Sequence, residues 1–172
     1  NRLVAWDLAR RRASLTSRIG AQEVKANGDA VLHPVLLYSD NGTFAVEHVG
    51  KTAYQWTLPS FEIDVHNFGR ASVDRVRLTF ALAAPASGTR RFTIHLPGGN
   101  TQAVAVDRGS SNQVHLVVNA APGRNSLTVT TIGRAVTTSE AGGKIVYGKL
   151  IDLRASVTDP NVRLGVVQQR IE

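Results

Sequence analysis

The sequence predicts an all-β protein, an antiparallel, jelly-roll-like β-sandwich of about ten strands behind one N-terminal amphipathic helix. Three observations carry this. From about residue 31 onward, apolar residues recur at every second position. The alternating runs are short, and Gly-, Asn- and Pro-rich punctuation separates them. No second helical block follows, so the apolar faces of the strands have only one another to cover them.

Residues 1–20 read as a basic amphipathic helix or connector, and residues 21–172 as the sandwich. Leu8, Leu15 and Ile19, with Leu3 and Val4 a turn earlier, fall on one side, the arginines fall on the other, and Gly20 is a stop signal. "AVLHPVLLYSD" is then one extended run, turned by Asp40–Gly42 into a return strand, "TFAVEHV". "TAYQWTL" follows. The next two runs alternate strictly: Phe61, Ile63 and Val65, then, after "NFGRAS", Val76, Leu78, Phe80 and Leu82. "RRFTIHL", "PGGN" and "TQAVAV" form the clearest hairpin. "QVHLVVN" turns through "AAPGRN" into "SLTVTTI", and after a looser stretch comes "IVYGKLIDLRASV", where Gly148 marks a candidate bulge.

At 172 residues the chain is long enough to bury a core without disulfides, and it has no Cys to form them. The lack of any Met marks it as a fragment or processed product. The net charge of +7 suggests an anionic partner, but its distribution argues against nucleic acid. Arg2, Arg10, Arg11, Arg12 and Arg18 stand against Asp7 alone, whereas later basic residues alternate with acids and polar groups. A phosphate-tracking groove needs clustered cations with interleaved aromatics.

If the two alternating runs pair, Glu62, Asp64 and His66 face Arg75, Arg77 and Thr79 on one wet face, with opposed Cβ atoms about 4.5–5.5 Å apart. Carboxylate–guanidinium pairs on such a face need no catalytic explanation. The same face, with Tyr54, is the candidate carbohydrate-binding surface, where charged groups bond sugar hydroxyls. Glu62 and Asp64 as a glycosidase pair is a third reading, with no helper motif beside it. Trp56 leads into an amphipathic strand and is assigned to the core. The five histidines sit on separate strands without metal-ligand spacing, and no nucleophile elbow or phosphate loop is present, so no catalytic residue, metal or cofactor is assigned.

The order of features resembles a known group. A "P-x-L-L" strand precedes Gly42, Phe44 and Glu47, then "Y-Q-W-T" (Tyr54 to Thr57), "F-E-I-D-V-H-N" (Phe61 to Asn67), "V-R-L-T-F" (Val76 to Phe80) and "N-A-A-P-G-R-N-S-L" (Asn119 to Leu127). Over residues 35–135 this is similar to the extracytoplasmic β-sandwich domains appended to bacterial cell-envelope proteins, namely membrane glycosyltransferases and sulfatase-like phosphoglycerol transferases. The resemblance implies a non-catalytic, carbohydrate-binding accessory domain. Its partner would be a polysaccharide or anionic envelope glycan, and a membrane-embedded or catalytic region of the same parent chain would adjoin it. It also implies a periplasmic or cell-surface location. No functional residue transfers, because the matching positions are core and turn positions. The alternative is a capsid-like jelly roll whose Arg-rich N-terminal arm binds nucleic acid; the helical spacing of Leu8, Leu15 and Ile19 counts against it.

The parity of the two runs buries Phe61, Ile63, Val65, Val76, Leu78, Phe80 and Leu82 and exposes Glu62, Asp64, Arg75 and Arg77, since a one-residue slip would invert every side chain. In urea melts, Leu78→Ala or Phe80→Ala is expected to cost about 2–5 kcal/mol. Arg77→Ala is expected to cost under about 1 kcal/mol.

Overall fold

A computed structural model describes residues 33–39, 41–137, 139, 141–159 and 162–166. The helix expected over residues 1–20, and with it the Arg-rich arm, lies outside the described residues. Thirteen strands are described: β1 (His33–Tyr38), β2 (Glu47–Val49), β3 (Thr52–Thr57), β4 (Ser60–Asn67), β5 (Val73–Ala83), β6 (Arg90–His95), β7 (Thr101–Val106), β8 (Ser111–Ala120), β9 (Gly123–Ile132), β10 (Val136–Thr137), β11 (Ile145–Val146), β12 (Gly148–Ser156) and β13 (Val162–Val166). Sheet A runs β13-β1-β4-β9-β6-β7 and sheet B runs β2-β3-β12-β5-β8, with β10-β11 a separate small pair. Every pairing is antiparallel except β1 with β13.

The inward residues of both sheets form one apolar core, from Leu37, Phe61, Ile63 and Phe92 on sheet A to Leu78, Phe80, Leu82 and Leu150 on sheet B. The seven apolar side chains assigned inward by alternation are all buried. What alternation left open is which strand pairs with which. β4 and β5 do not pair: β4 lies between β1 and β9, and β5 between β12 and β8. They face each other across the core, so Glu62 and Asp64 emerge on one side of the molecule and Arg77 on the other. The stretch after Asn67 is a crossover between sheets, held by the Asn67 amide, which donates to the carbonyls of Ala71 (2.8 Å) and Ala120 (2.9 Å). No hairpin joins β1 to β2 where Asp40–Gly42 was read as its turn, since the two strands lie in different sheets, and "AAPGRN" likewise lies between β8 of one sheet and β9 of the other. Gly42 is required where the chain crosses: at φ 75°, a Cβ there would lie 2.1 Å from the Ser60 carbonyl oxygen. The "PGGN" hairpin is present as read, joining β6 to β7.

Two bulges break the parity. In β5 the register slips between Val73 and Val76, so both face inward although three residues apart, and Arg75 takes φ 57° with its N–H donated to Asn119 Oδ1. In β12 the slip falls between Ile151 and Arg154, at Asp152 (φ 47°), which lets Leu150 and Leu153 both enter the core. Asp152 Oδ1 accepts the Ala53 N–H at 3.0 Å. The bulge is therefore at Asp152 and not at Gly148. Gly148 has another task, a close approach: a Cβ would sit 2.8 Å from Phe92 Cζ and 2.9 Å from the Ala83 carbonyl oxygen.

Asp64 is also corrected. It points away from the core as its parity demands, yet it is fully buried, because it lies on a central strand under longer neighbours. Gly148→Ala is expected to destabilise by about 1–3 kcal/mol through overpacking against Phe92 and the Ala83 carbonyl. Urea denaturation with the m-value unchanged is the check, and Phe92→Leu in the same background is expected to recover only part, since the carbonyl cannot retreat.

Candidate functional site

Both outer faces carry polar side chains, and the six residues singled out in the sequence are divided between them. On sheet A, one rung is Tyr38–Asp64–Ser126 and the next is Leu36–His66–Arg124. The Arg124 guanidinium reaches along the face to Asp64, with Nε to Oδ1 at 2.8 Å and Nη2 to Oδ2 at 2.9 Å, and to Glu62 Oε2 at 2.6 Å. Ser126 donates its hydroxyl to Asp64 Oδ1 at 2.5 Å. The bond to Asp64, more than any other influence, holds the Arg124 pKa above the usual arginine value. His66 stacks on Phe68, ring centroids 4.1 Å apart. The partner of the acids is thus Arg124 of β9, and neither Arg75 nor Arg77. The "GRN" stretch that supplies Arg124 looked like punctuation in the sequence, but it opens strand β9. The centre of this face is filled by its own ion pairs.

Sheet B is different. One rung reads Trp56–Lys149–Ala83–Ser111, and the next Glu47–Tyr54–Ile151–Ala81–Gln113. Arg77 lies further along the same face, opposite Val117, and Arg75 sits at the bulge beyond it. Trp56 is buried, but on this outer face and not between the sheets: it packs on Ala141 and Val146 in a second cluster beneath the β9–β12 connection. The inward parity on β3 belongs instead to Gln55 and Thr57, both buried. Lys149 Nζ lies 4.2 Å from the Trp56 ring centroid and 4.9 Å from that of Tyr54, a double cation–π contact. Tyr54 donates its hydroxyl to Glu47 Oε2 (2.8 Å), and Lys144 pairs with Glu47 Oε1 at 3.4 Å. Trp56 Nε1 is buried with no hydrogen-bond partner among the described residues.

Because Ala83, beside Lys149, is small, the face is depressed there. Pro85–Ser87, Gly109–Ser111 and the residues Val136, Thr137 and Ser139 rise around the depression. Together they enclose a cleft of about 720 Å³ whose lining includes Trp56, Lys149 and Ile151. Its walls carry the hydroxyls of Ser87, Ser110, Ser111, Thr137 and Ser139, and no carboxylate among the described residues. Such a cleft can grip a polar, uncharged or anionic solute by hydrogen bonds and by one ammonium. Sequence reasoning missed it because Ala83, Ser110 and Thr137 are unremarkable residues far apart in the chain.

No protein-family model matches the chain, and no curated protein matches it. Solved structures similar to it include a CBM35 module in complex with a disaccharide containing glucuronic acid (14% identity, 72% of this chain and 98% of that one, TM-score 0.41). A CBM35 module from Cellvibrio japonicus aligns at 18% identity over 70% of this chain and 96% of that one, with a TM-score of 0.38. A CBM61 module in complex with β-1,4-galactotriose aligns at 16% identity over 72% of this chain and 88% of that one, TM-score 0.35.

Asp64→Ala is expected to cost about 1–3 kcal/mol, the penalty for removing the acceptor of three charge-assisted bonds, moderated because Arg124 is half-exposed and can be rehydrated. Glu62→Gln, at the rim of the same cluster, is expected to cost under about 1 kcal/mol. Thermal melts of the two variants check the order.

Proposed function

We propose that this chain is a non-catalytic carbohydrate-binding β-sandwich, an accessory domain of a bacterial cell-envelope protein that works outside the cytoplasm. The observation that carries the binding reading is the cleft on sheet B. Its volume falls within the roughly 300–1,000 Å³ of small-molecule sites. Its apolar floor of Ala83 and Ile151 suits the C–H faces of a sugar ring, and its hydroxyl walls and Lys149 suit the ring's hydroxyls. The two rings on this face do not offer themselves as stacking platforms, since Lys149 lies over both and Trp56 is covered by Ala141 and Val146. Recognition is accordingly assigned to hydrogen bonding in the cleft. Of the six residues first singled out, only Tyr54 borders it, through Lys149. The pair Glu62 and Asp64 is occupied by Arg124 and supports no acid–base role. The envelope setting and the adjoining membrane or catalytic region are drawn from the resemblance of residues 35–135.

A glycan array followed by calorimetric titration against envelope polysaccharides tests this. Binding to at least one glycan class is expected, and a folded protein that binds none would leave only a spacer role. Lys149→Met, which keeps the stem against Trp56 and removes the charged donor, is expected to weaken that binding about tenfold or more, the worth of a hydrogen bond to a charged group.

A further inference from the structure

Beside the cleft, the fold holds a cation that no acid of the described chain balances. Arg90 opens β6 on the inward parity of Phe92 and Ile94 and is only 5% exposed. Its guanidinium donates to three backbone carbonyls: Nε to Tyr147 at 2.7 Å, Nη1 to Thr89 at 2.8 Å and Nη2 to Arg134 at 2.6 Å. The carboxylates of Glu47, Glu62, Asp64 and Asp152 each pair with another cation. Burial pulls the Arg90 pKa below the usual arginine value, against an opposing effect of Tyr147. An arginine nevertheless stays protonated at neutral pH, so the charge persists. Two of its five N–H groups remain beyond the three bonds above.

The surroundings leave space for this side chain. A Cβ at Gly133 would lie 2.8 Å from Arg90 Cδ, and one at Gly88 would touch Nη1 at 3.4 Å. Next to the guanidinium is a hollow of about 320 Å³ lined by Ser87, Arg90, Arg134, Ala135, Val136 and Thr137. It shares Ser87, Val136 and Thr137 with the larger cleft. Among the described residues this buried cation is bonded only to carbonyl dipoles and meets no counter-charge, and an oxyanion is the partner that the planar guanidinium fork fits.

We propose that this hollow is an oxyanion subsite, in which Arg90 and Arg134 hold a carboxylate or sulfate group. Resting on the carbohydrate-binding reading, the ligand that spans both hollows is an acidic glycan, its ring in the cleft and its anionic group against Arg90.

The test uses the full chain. Sodium glucuronate and sodium sulfate, with glucose at matched ionic strength as control, are titrated while the Arg90 and Arg134 Nε–Hε resonances are followed by NMR. An acidic oligosaccharide and its carboxyl-reduced counterpart are then compared by calorimetry. One or both anions are expected to shift the Arg90 resonance while glucose does not, and which of the two acts names the group. The acidic oligosaccharide is expected to bind about tenfold or more tighter than the reduced one, by the worth of charge-assisted bonds. The preference is expected to shrink as salt rises. Arg90→Gln threatens the fold, so Arg134→Ala, at an exposed position, serves as the second variant: it is expected to reduce the preference several-fold with the melting temperature unchanged. Arg90 resonances indifferent to both anions, or equal affinity for the acidic and reduced oligosaccharides, would overturn the subsite and leave the carbohydrate reading intact. Anion binding at Arg90 with no glycan bound by the cleft would uphold the subsite and remove the carbohydrate reading.

Discussion

The structure depends on one constraint: the inward faces of two sheets must be covered by each other, which leaves all polar chemistry to two outer faces. The chain meets this by passing back and forth between the layers, from β1 in sheet A to β2 and β3 in sheet B, then to β4 in A and β5 in B. Each outer face is consequently assembled from segments distant in sequence. What a face can do depends on side-chain size at its centre. On sheet A the central outward positions carry Tyr38, Asp64 and Arg124, which fill the surface. On sheet B the position beside Lys149 carries Ala83, over which a depression opens that the surrounding loops wall in.

Alternation made the faces legible and the pairings illegible, for a physical reason. Period two fixes which side chains share a side of their own strand. It is equally satisfied whether the next strand lies beside it or across the core, because both arrangements bury the same apolar set. Glu62 and Asp64 were therefore assigned correctly to an outward face and wrongly to the face of Arg77. The bulges at Arg75 and Asp152 were hidden for a related reason: neither is a glycine, and their positive φ carries no strong residue signature. Outward was also not the same as exposed, as Asp64 shows, since a short side chain at the middle of a sheet is roofed by longer neighbours.

One signal was available and points at the second hollow. In "RRFTIHL" the parity that sends Phe92 and Ile94 inward also sends Arg90 inward, so one of two adjacent arginines had to be buried. Arg91, of opposite parity, is exposed. An inward arginine at the start of a strand needs acceptors, and the sequence alone does not show them: they come from Tyr147 and Arg134 on the β9–β12 connection, far along the chain.

The two buried charges among the described residues are handled in opposite ways, and the contrast separates support from function. Asp64 is neutralised within the chain: Arg124 supplies the counter-charge and Ser126 a further donor, so its burial leaves nothing unbalanced. Arg90 is neutralised by nothing in the described chain. Its three carbonyl partners, on Tyr147, Thr89 and Arg134, explain why a donor-rich side chain stands there. A leucine would fill the space and strand them, and a glutamine amide could not reach all three. The carbonyls account for the donors but not for the charge. Among the described residues a full positive charge therefore stays unmatched in a hollow beside a hydroxyl-walled cleft, and a bound anion is what would complete it.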